Sequence, residues 1–265
     1  MPLTDLIRYF NVADSTEHST LYSLGERVAA WHNGLHLASL FQPIVDLRLE
    51  RIVGHLASLS AQGEDGTPVS TDEAYALCET TEAVVHFDRL SRTLHALNFL
   101  AQRRHTGGYL QLAVHPRHLK AIQSQHGLVY EAILKRCGLG PEDIVLEIDA
   151  HPFKHNPHLA DALHNYRQRG YRLALNELPT DTGETELQAF TPDLLKAHVT
   201  KAPALHKLAR QFDIPLAVTG IDSGQDFAQA SQAGFDLGLG TLFGKPQANC
   251  RPTHNNRSVA YNSPD

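Results

Sequence analysis

The sequence predicts an α/β fold, namely an irregular (β/α)8 TIM-like barrel with an antiparallel first strand. Eight short apolar runs follow one another along the chain, and stretches with helical periodicity separate most of them. The first two runs are joined by residues 48–50 alone, whereas a parallel crossover needs about a dozen residues. These two strands are therefore expected to pair antiparallel, and the other six to run parallel.

The individual elements follow from periodicity and from helix-capping residues. The predicted strands are residues 36–47, 51–59, 109–114, 143–148, 172–178, 193–199, 215–221 and 237–240. The predicted helices include residues 71–79, 84–103, 116–125, 158–169, 202–212 and 224–233. Gly138, Gly170 and Gly234 each follow a periodic segment, so they are predicted to end helices. Ser223 and Asp226 have the spacing of a capping box that opens the last helix.

The chain divides into three predicted parts. Residues 1–35 form a polar, partly helical lead-in, because residues 20–31 place apolar side chains at helical spacing. Residues 36–248 form the barrel, and residues 249–265 form a polar, flexible tail without a pattern. In such a barrel, functional side chains are expected at the C-terminal ends of the strands.

Composition excludes several classes of protein. The 23 basic and 29 acidic residues give a net charge of −6, which argues against direct nucleic-acid binding. No apolar run reaches the roughly 18 residues of a membrane span, and no secretory signal is visible. The three cysteines Cys78, Cys137 and Cys250 are scattered, as in a reducing compartment. We therefore expect a cytoplasmic protein that does not enter membranes.

Six segments together carry a resemblance to a known family. They are FQPIVD at 41–46, RIVG at 51–54, VLEI at 145–148, YRLAL at 171–175, PDLLK at 192–196 and GTLFGKP at 240–246. In this order they resemble the EAL domain, the bacterial cyclic di-GMP phosphodiesterase family. The resemblance implies an irregular barrel with an antiparallel first strand, in agreement with the loop-length argument.

The resemblance also implies that most of the family's catalytic positions have changed. The family's metal-binding Glu falls on Leu56, and the Arg that binds phosphate falls on Ser60. Its Asn falls on Ala113, a later Glu on Thr219 and a late Gln on Leu239. Residues 36–248 are thus expected to form a degenerate EAL-like barrel.

A few positions of the family's pocket keep a polar side chain. They are Gln42, Glu147, Asn176, Glu177 and Lys196. Two-metal phosphodiester hydrolysis requires several anionic oxygen ligands, and only Glu147 and Glu177 supply them. Lys196 is expected to neutralise one of these two carboxylates, because a buried unpaired lysine would be costly. The sequence therefore predicts no enzyme activity, no cofactor and no metal.

Histidine is abundant, at 17 of 265 residues. His115 and His198 fall on the predicted interior side of their strands, with Glu147 on a strand between them. Two histidines and a carboxylate form a zinc-type ligand set, so a re-purposed metal site is one hypothesis. Their large separation in sequence and the lack of motif spacing count against it.

The resemblance implies a catalytically inactive EAL-like regulatory protein that acts through protein–protein interaction. Its partner would be a transcription factor or signalling protein in cyclic di-GMP-related behaviour such as motility or biofilm formation. The replacement of an Arg by Ser60 argues against cyclic di-GMP binding, since a bidentate phosphate contact is lost. Two alternatives stay open: a non-catalytic cyclic di-GMP receptor and a re-purposed metal-dependent phosphodiesterase. A homodimer also stays open, because the loop at 179–186 differs from the family's.

Overall fold

The computed structural model describes residues 2–13, 19–103, 106–122, 128–150, 157–178 and 183–252. The strands are β1 (Ser19–Leu24), β2 (Arg27–His32), β3 (Leu35–Asp46), β4 (Arg51–Gly63), β5 (Pro68–Val69), β6 (Tyr109–Val114), β7 (Ile144–Asp149), β8 (Arg172–Asn176), β9 (Leu194–His198), β10 (Leu216–Thr219) and β11 (Leu237–Gly238). The helices are α1 (Leu3–Ala13), α2 (Thr71–Ala76), α3 (Thr81–Gln102), α4 (Pro116–Ala121), α5 (Leu128–Cys137), α6 (Pro157–Gln168), α7 (Glu184–Phe190), α8 (Ala202–Gln211) and α9 (Gly224–Ala233).

Eight of the strands close into a barrel in the order β3-β11-β10-β9-β8-β7-β6-β4, with β4 returning to β3. Strand β3 is antiparallel to both of its neighbours in the barrel, β4 and β11. The remaining neighbours are parallel. The prediction of an irregular (β/α)8 barrel with an antiparallel first strand is therefore confirmed.

A small apolar layer fills the barrel interior. Its buried members are Ile44, Val145, Ala174, Leu194, Ala217 and Leu239. Because side chains alternate along a strand, the residues two positions further on face the same interior side. Glu147, Asn176, Lys196 and Thr219 stand two positions after members of this layer. The layer thus forms the floor of a mouth at the C-terminal ends of the parallel strands.

The lead-in differs from the prediction. Residues 20–31 do not form a helix, because strands β1 and β2 form an antiparallel hairpin there. Gly25 has a positive φ of 63° in the turn, and β2 pairs with β3 through Ala30 and Leu37. This pairing with the barrel outweighs the weak helical periodicity of the segment. The helix of the lead-in is α1, which buries Leu6 and Phe10.

Several helix ends follow the predicted chemistry. Gly138, Gly170 and Gly234 all have positive φ, at 78°, 85° and 74°. Ser223 and Asp226 form the capping box of α9, as predicted. Of the tail at 249–265, only residues 249–252 lie in the described part, and residues 253–265 lie outside it. Within the described ranges, no helix has the length and apolar character that a bilayer span requires.

Candidate functional site

A cavity of about 330 Å³ opens at the mouth of the barrel. The strand residues on its wall include Leu56, Ser58, Ala113, Glu147, Asp149 and Asn176, and His115 joins them from the N-cap of α4. Helices α2 and α3 close the side near β4 and β6. The cavity therefore lies at the C-terminal ends of the strands, where functional side chains are predicted.

Glu147 is the buried carboxylate of this mouth. Both of its oxygens accept hydrogen bonds from Nζ of Lys196, at 2.8 and 2.9 Å. Nε2 of Gln111 on β6 donates to one of the same oxygens. The two charged residues are only 8% and 7% exposed. Lys196 thus neutralises Glu147, and Gln111 uses part of the remaining hydrogen-bonding capacity of the carboxylate.

Glu177, the other carboxylate of the predicted set, pairs elsewhere. It follows β8 with a positive φ of 52°, and its Oε2 accepts from Nζ of Lys201 at 2.8 Å. Both side chains of this pair are exposed. Glu147 and Glu177 are therefore engaged by two different lysines, and only Glu147 lines the cavity.

The positions that the resemblance predicts to have changed contribute little polar chemistry. Leu56 and Ala113 line the cavity with apolar side chains, and Leu239 belongs to the apolar floor. Thr219 ends β10 opposite His198. Ser60 lies on β4 opposite Ala38 and is not among the described residues on the cavity wall.

Gln42 and Asn176 differ in how firmly they are held. Nε2 of Gln42 donates to the carbonyl oxygen of Gly244 at 3.1 Å, which ties β3 to the segment after β11. Asn176 lies on the cavity wall, half-buried, and no hydrogen bond from its side chain to another described residue is present. Its amide is therefore available to a bound molecule.

His115 and His198 have separate roles. The ring of His115 stacks on Tyr75, with centroids 3.7 Å apart, and its Nδ1 accepts from the Arg117 amide at the start of α4. Burial lowers the pKa of His115. His198 is exposed, and its Nδ1 lies 2.8 Å from Oγ1 of Thr200. Among the described residues, no three His, Cys, Asp or Glu side chains group as metal ligands.

A polar stripe on α3 behind the cavity was not among the predicted site residues. Asp88, Arg92, His95 and Asn98 recur at helical spacing and are all buried. Asp88 contacts Arg92 and His118. Burial alone would raise the pKa of Asp88, but these two neighbours and the hydrogen bonds from the His115 amide and Tyr75 hold it below its usual value. Buried polar residues at this spacing on a long helix are the signal that could have revealed the stripe.

The family model described as "EAL domain" matches residues 27–246 of this chain. The chain belongs to the EAL domain family. The match starts at β2, so it includes part of the segment that is predicted above to belong to the lead-in. No curated protein matches the chain.

Solved EAL structures share the fold of this EAL domain. The cGMP-bound form of the EAL enzyme Bd1971 is 19% identical with a TM-score of 0.66, over 80% of this chain and 63% of that one. The manganese and cyclic di-GMP complex of Klebsiella pneumoniae BlrP1 is 18% identical with a TM-score of 0.66, over 80% of this chain and 56% of that one. The cyclic di-GMP complex of the PaMucR phosphodiesterase is 16% identical with a TM-score of 0.68, over 80% and 92% of the two chains. This chain spans less than two thirds of the first two proteins.

These structures correct one prediction. The sequence argued against cyclic di-GMP binding, but BlrP1 and PaMucR hold cyclic di-GMP on the same fold. The prediction depended on the replacement of one arginine by Ser60, and the loss of one phosphate contact weakens the binding of a ligand without by itself abolishing it. The expectation that this EAL domain does not bind cyclic di-GMP is therefore withdrawn.

Proposed function

We propose that this EAL domain is a regulatory protein that does not hydrolyse cyclic di-GMP. The observation that supports the proposal is the state of Glu147, whose two oxygens both accept from Lys196. A metal ion at this carboxylate would have to displace a lysine that already compensates the charge. Hydrolysis therefore lacks its metal-activated water.

The other residues of the mouth do not fit a pair of divalent cations. Hard cations need several oxygen ligands, of which some carry negative charge. Leu56 and Ala113 supply no oxygen, and Thr219 supplies only a neutral hydroxyl. Glu177 is engaged by Lys201 at the surface.

The regulatory output is a contact with a protein partner in the cytoplasm, such as a transcription factor or signalling protein. The closed barrel supports this proposal, because its eight strands and apolar floor provide a scaffold whose surface a partner can contact without a metal at the mouth. A fold can keep its scaffold for binding after its active site has changed. We expect this regulation to act on motility or biofilm formation.

A turnover assay tests the absence of hydrolysis. The full chain is incubated with cyclic di-GMP and either magnesium or manganese, and the linear dinucleotide is quantified by chromatography. We expect no product above a protein-free blank. Hydrolysis that is lost in Lys196→Ala and kept in Lys201→Ala, the matched surface control, would overturn the proposal. The same result would favour the re-purposed phosphodiesterase.

A second candidate is a non-catalytic cyclic di-GMP receptor. The open cavity of about 330 Å³, with the amide of Asn176 on its wall, favours it. Calorimetric titration with cyclic di-GMP in the absence of divalent cations separates the two candidates. A micromolar or tighter complex without turnover supports the receptor, whereas no heat of binding supports a role through the protein partner alone.

A further inference from the structure

The edge of β4 is unpaired where this strand passes the cavity. Strand β6 pairs with β4 as far as Leu56, and β5 pairs with the same edge again from Ala61 onward. Between these two pairings, residues 57–60 have β3 as their only strand neighbour in the described part of the chain. The first three of them line the cavity. The cavity therefore borders a short open stretch of sheet edge.

The gap arises where the end of β6 is held by α3 rather than by β4. The amide of His115, the residue after β6, donates to Oδ1 of Asp88 at 3.1 Å. Asp88 is completely buried on α3 and forms an ion pair with Arg92. If β6 continued along β4 in register, Ala113 would lie opposite Ser58. Both of these residues line the cavity instead.

Strand alternation identifies the backbone groups that face the gap. The Gly63 amide donates to the Thr67 carbonyl oxygen at 2.9 Å, at the edge of β4 that faces β5. Because successive residues turn their peptide groups to alternate edges, those of Leu59 and Ala57 face the same edge as Gly63. The last pair with β6 engages the Ala57 amide. The Ala57 carbonyl and both groups of Leu59 have no hydrogen-bond partner among the described residues.

This pattern fits one residue of an extended peptide. In a parallel ladder, a single residue donates its N–H to one carbonyl of the neighbouring strand and accepts from the amide two residues further on. The Ala57 carbonyl and the Leu59 amide have this spacing. Unpaired edge groups are a template for strand addition, and a backbone group left without a partner costs about 1–3 kcal/mol once it is enclosed.

The charges around the cavity favour an uncharged occupant. Glu147 is paired with Lys196, and Arg92 is paired with Asp88. Ser58, beside the open groups, adds only a neutral hydroxyl. The volume of about 330 Å³ lies at the lower end of the range of ligand pockets. A short stretch of uncharged peptide suits both the charge and the size of the cavity.

We propose that the open edge of β4 binds an extended, uncharged segment of the protein partner as a short parallel strand at the mouth of the barrel. One residue of the segment donates to the Ala57 carbonyl and accepts from the Leu59 amide, on the line that β6 leaves. Strand addition supplies affinity through the main chain and specificity through the side chains beside it. This proposal rests on the protein partner proposed above and adds the place and the mode of its binding.

The test uses a probe with one complete residue, N-acetylvaline N′-methylamide. The matched control probe carries a methyl group on the valine nitrogen and so lacks the hydrogen for the Ala57 carbonyl. The full chain, labelled with ¹⁵N, is titrated with each probe, and the Leu59 amide signal is followed by NMR. We expect a saturable downfield shift with the first probe at millimolar concentration and none with the second. No saturable shift at Leu59, or equal affinity for the two probes, would overturn the proposal.

Two variants and a control locate the probe. Leu59→Pro removes the donating amide at an unpaired edge position, and we expect about a tenfold loss of affinity, read from the Ser58 signal. Ala113→Phe fills the cavity without changing β4 and should abolish binding. Ser23→Pro removes an amide at the outer edge of β1, two residues after Leu21, and should bind as the parent does. Unchanged affinity in both folded cavity variants, checked by circular dichroism, would contradict the assignment.

The probe titration and the turnover assay fail independently. A parent chain that hydrolyses cyclic di-GMP and still shifts Leu59 with the probe would overturn the absence of hydrolysis and support the peptide site. A chain without turnover whose Leu59 amide does not respond would overturn the peptide site alone.

Discussion

Glu147 and Lys196 form a buried ion pair that spans one strand of the barrel. Glu147 is on β7 and Lys196 is on β9, so β8 lies between them. Opposite Glu147, β8 carries Ala174, whose small side chain leaves room for the two long side chains to meet. The pair lies above the apolar floor, at the place where a hydrolytic site would need free carboxylates.

The first prediction concerns the stability of this pair. Lys196→Met leaves the Glu147 carboxylate buried without its cation, and we expect a loss of about 3–5 kcal/mol in the free energy of unfolding. The double variant with Glu147→Gln should recover most of that loss, because both charges are gone. Urea denaturation measures both values.

Lys201→Met is the matched control for the buried pair. Its partner Glu177 is exposed, and exposed pairs contribute about 0–1 kcal/mol. A loss in Lys201→Met as large as that in Lys196→Met, or a double variant no more stable than Lys196→Met, would contradict the account of the pair.

The second prediction is a dependence of stability on pH. Burial lowers the pKa of both His55 and His95 to about 4. The unfolded chain takes up these protons near pH 6.5, so stability is present above that pH and decreases as the pH falls toward 4. Between pH 7 and pH 5 we expect a loss of about 2 kcal/mol per histidine. Equal midpoints of urea denaturation at pH 7 and pH 5 would contradict this predicted loss of stability.

The third prediction concerns the capping box of α9. Oγ of Ser223 accepts from the Asp226 amide at 3.2 Å, and the Asp226 carboxylate accepts from the Ser223 amide at 2.8 Å. Ser223→Ala should therefore lower stability by about 1 kcal/mol. Ser231→Ala, on the exposed side of the same helix, should change it much less. Equal effects in thermal unfolding would show that the cap does not stabilise the helix.

The barrel could be predicted because its determinants are local. The four residues between β3 and β4 are too few for a parallel crossover, and Gly138, Gly170 and Gly234 mark helix ends by their backbone conformation. Strand alternation also placed Glu147 on the cavity wall. These features depend on a few neighbouring residues, so the sequence carries them directly.

The parts that were missed depend on contacts between distant segments. The hairpin of β1 and β2 is stabilised by pairing with β3, and periodicity within residues 20–31 carries no information on that pairing. The hydrogen bond of His95 depends on Ser39, which lies on β3, 56 residues earlier in the sequence. The sequence offered either Glu147 or Glu177 as the partner of Lys196, and only the geometry of the mouth selects Glu147.

Manganese binding tests the central claim most directly, because Mn²⁺ would have to compete with Lys196 for Glu147. The full chain is titrated with Mn²⁺, and the free ion is measured by electron paramagnetic resonance. We predict that the free signal follows the added manganese, with no stoichiometric site in the parent. One bound Mn²⁺ per chain that disappears in Glu147→Gln and persists in Glu177→Gln would contradict the account.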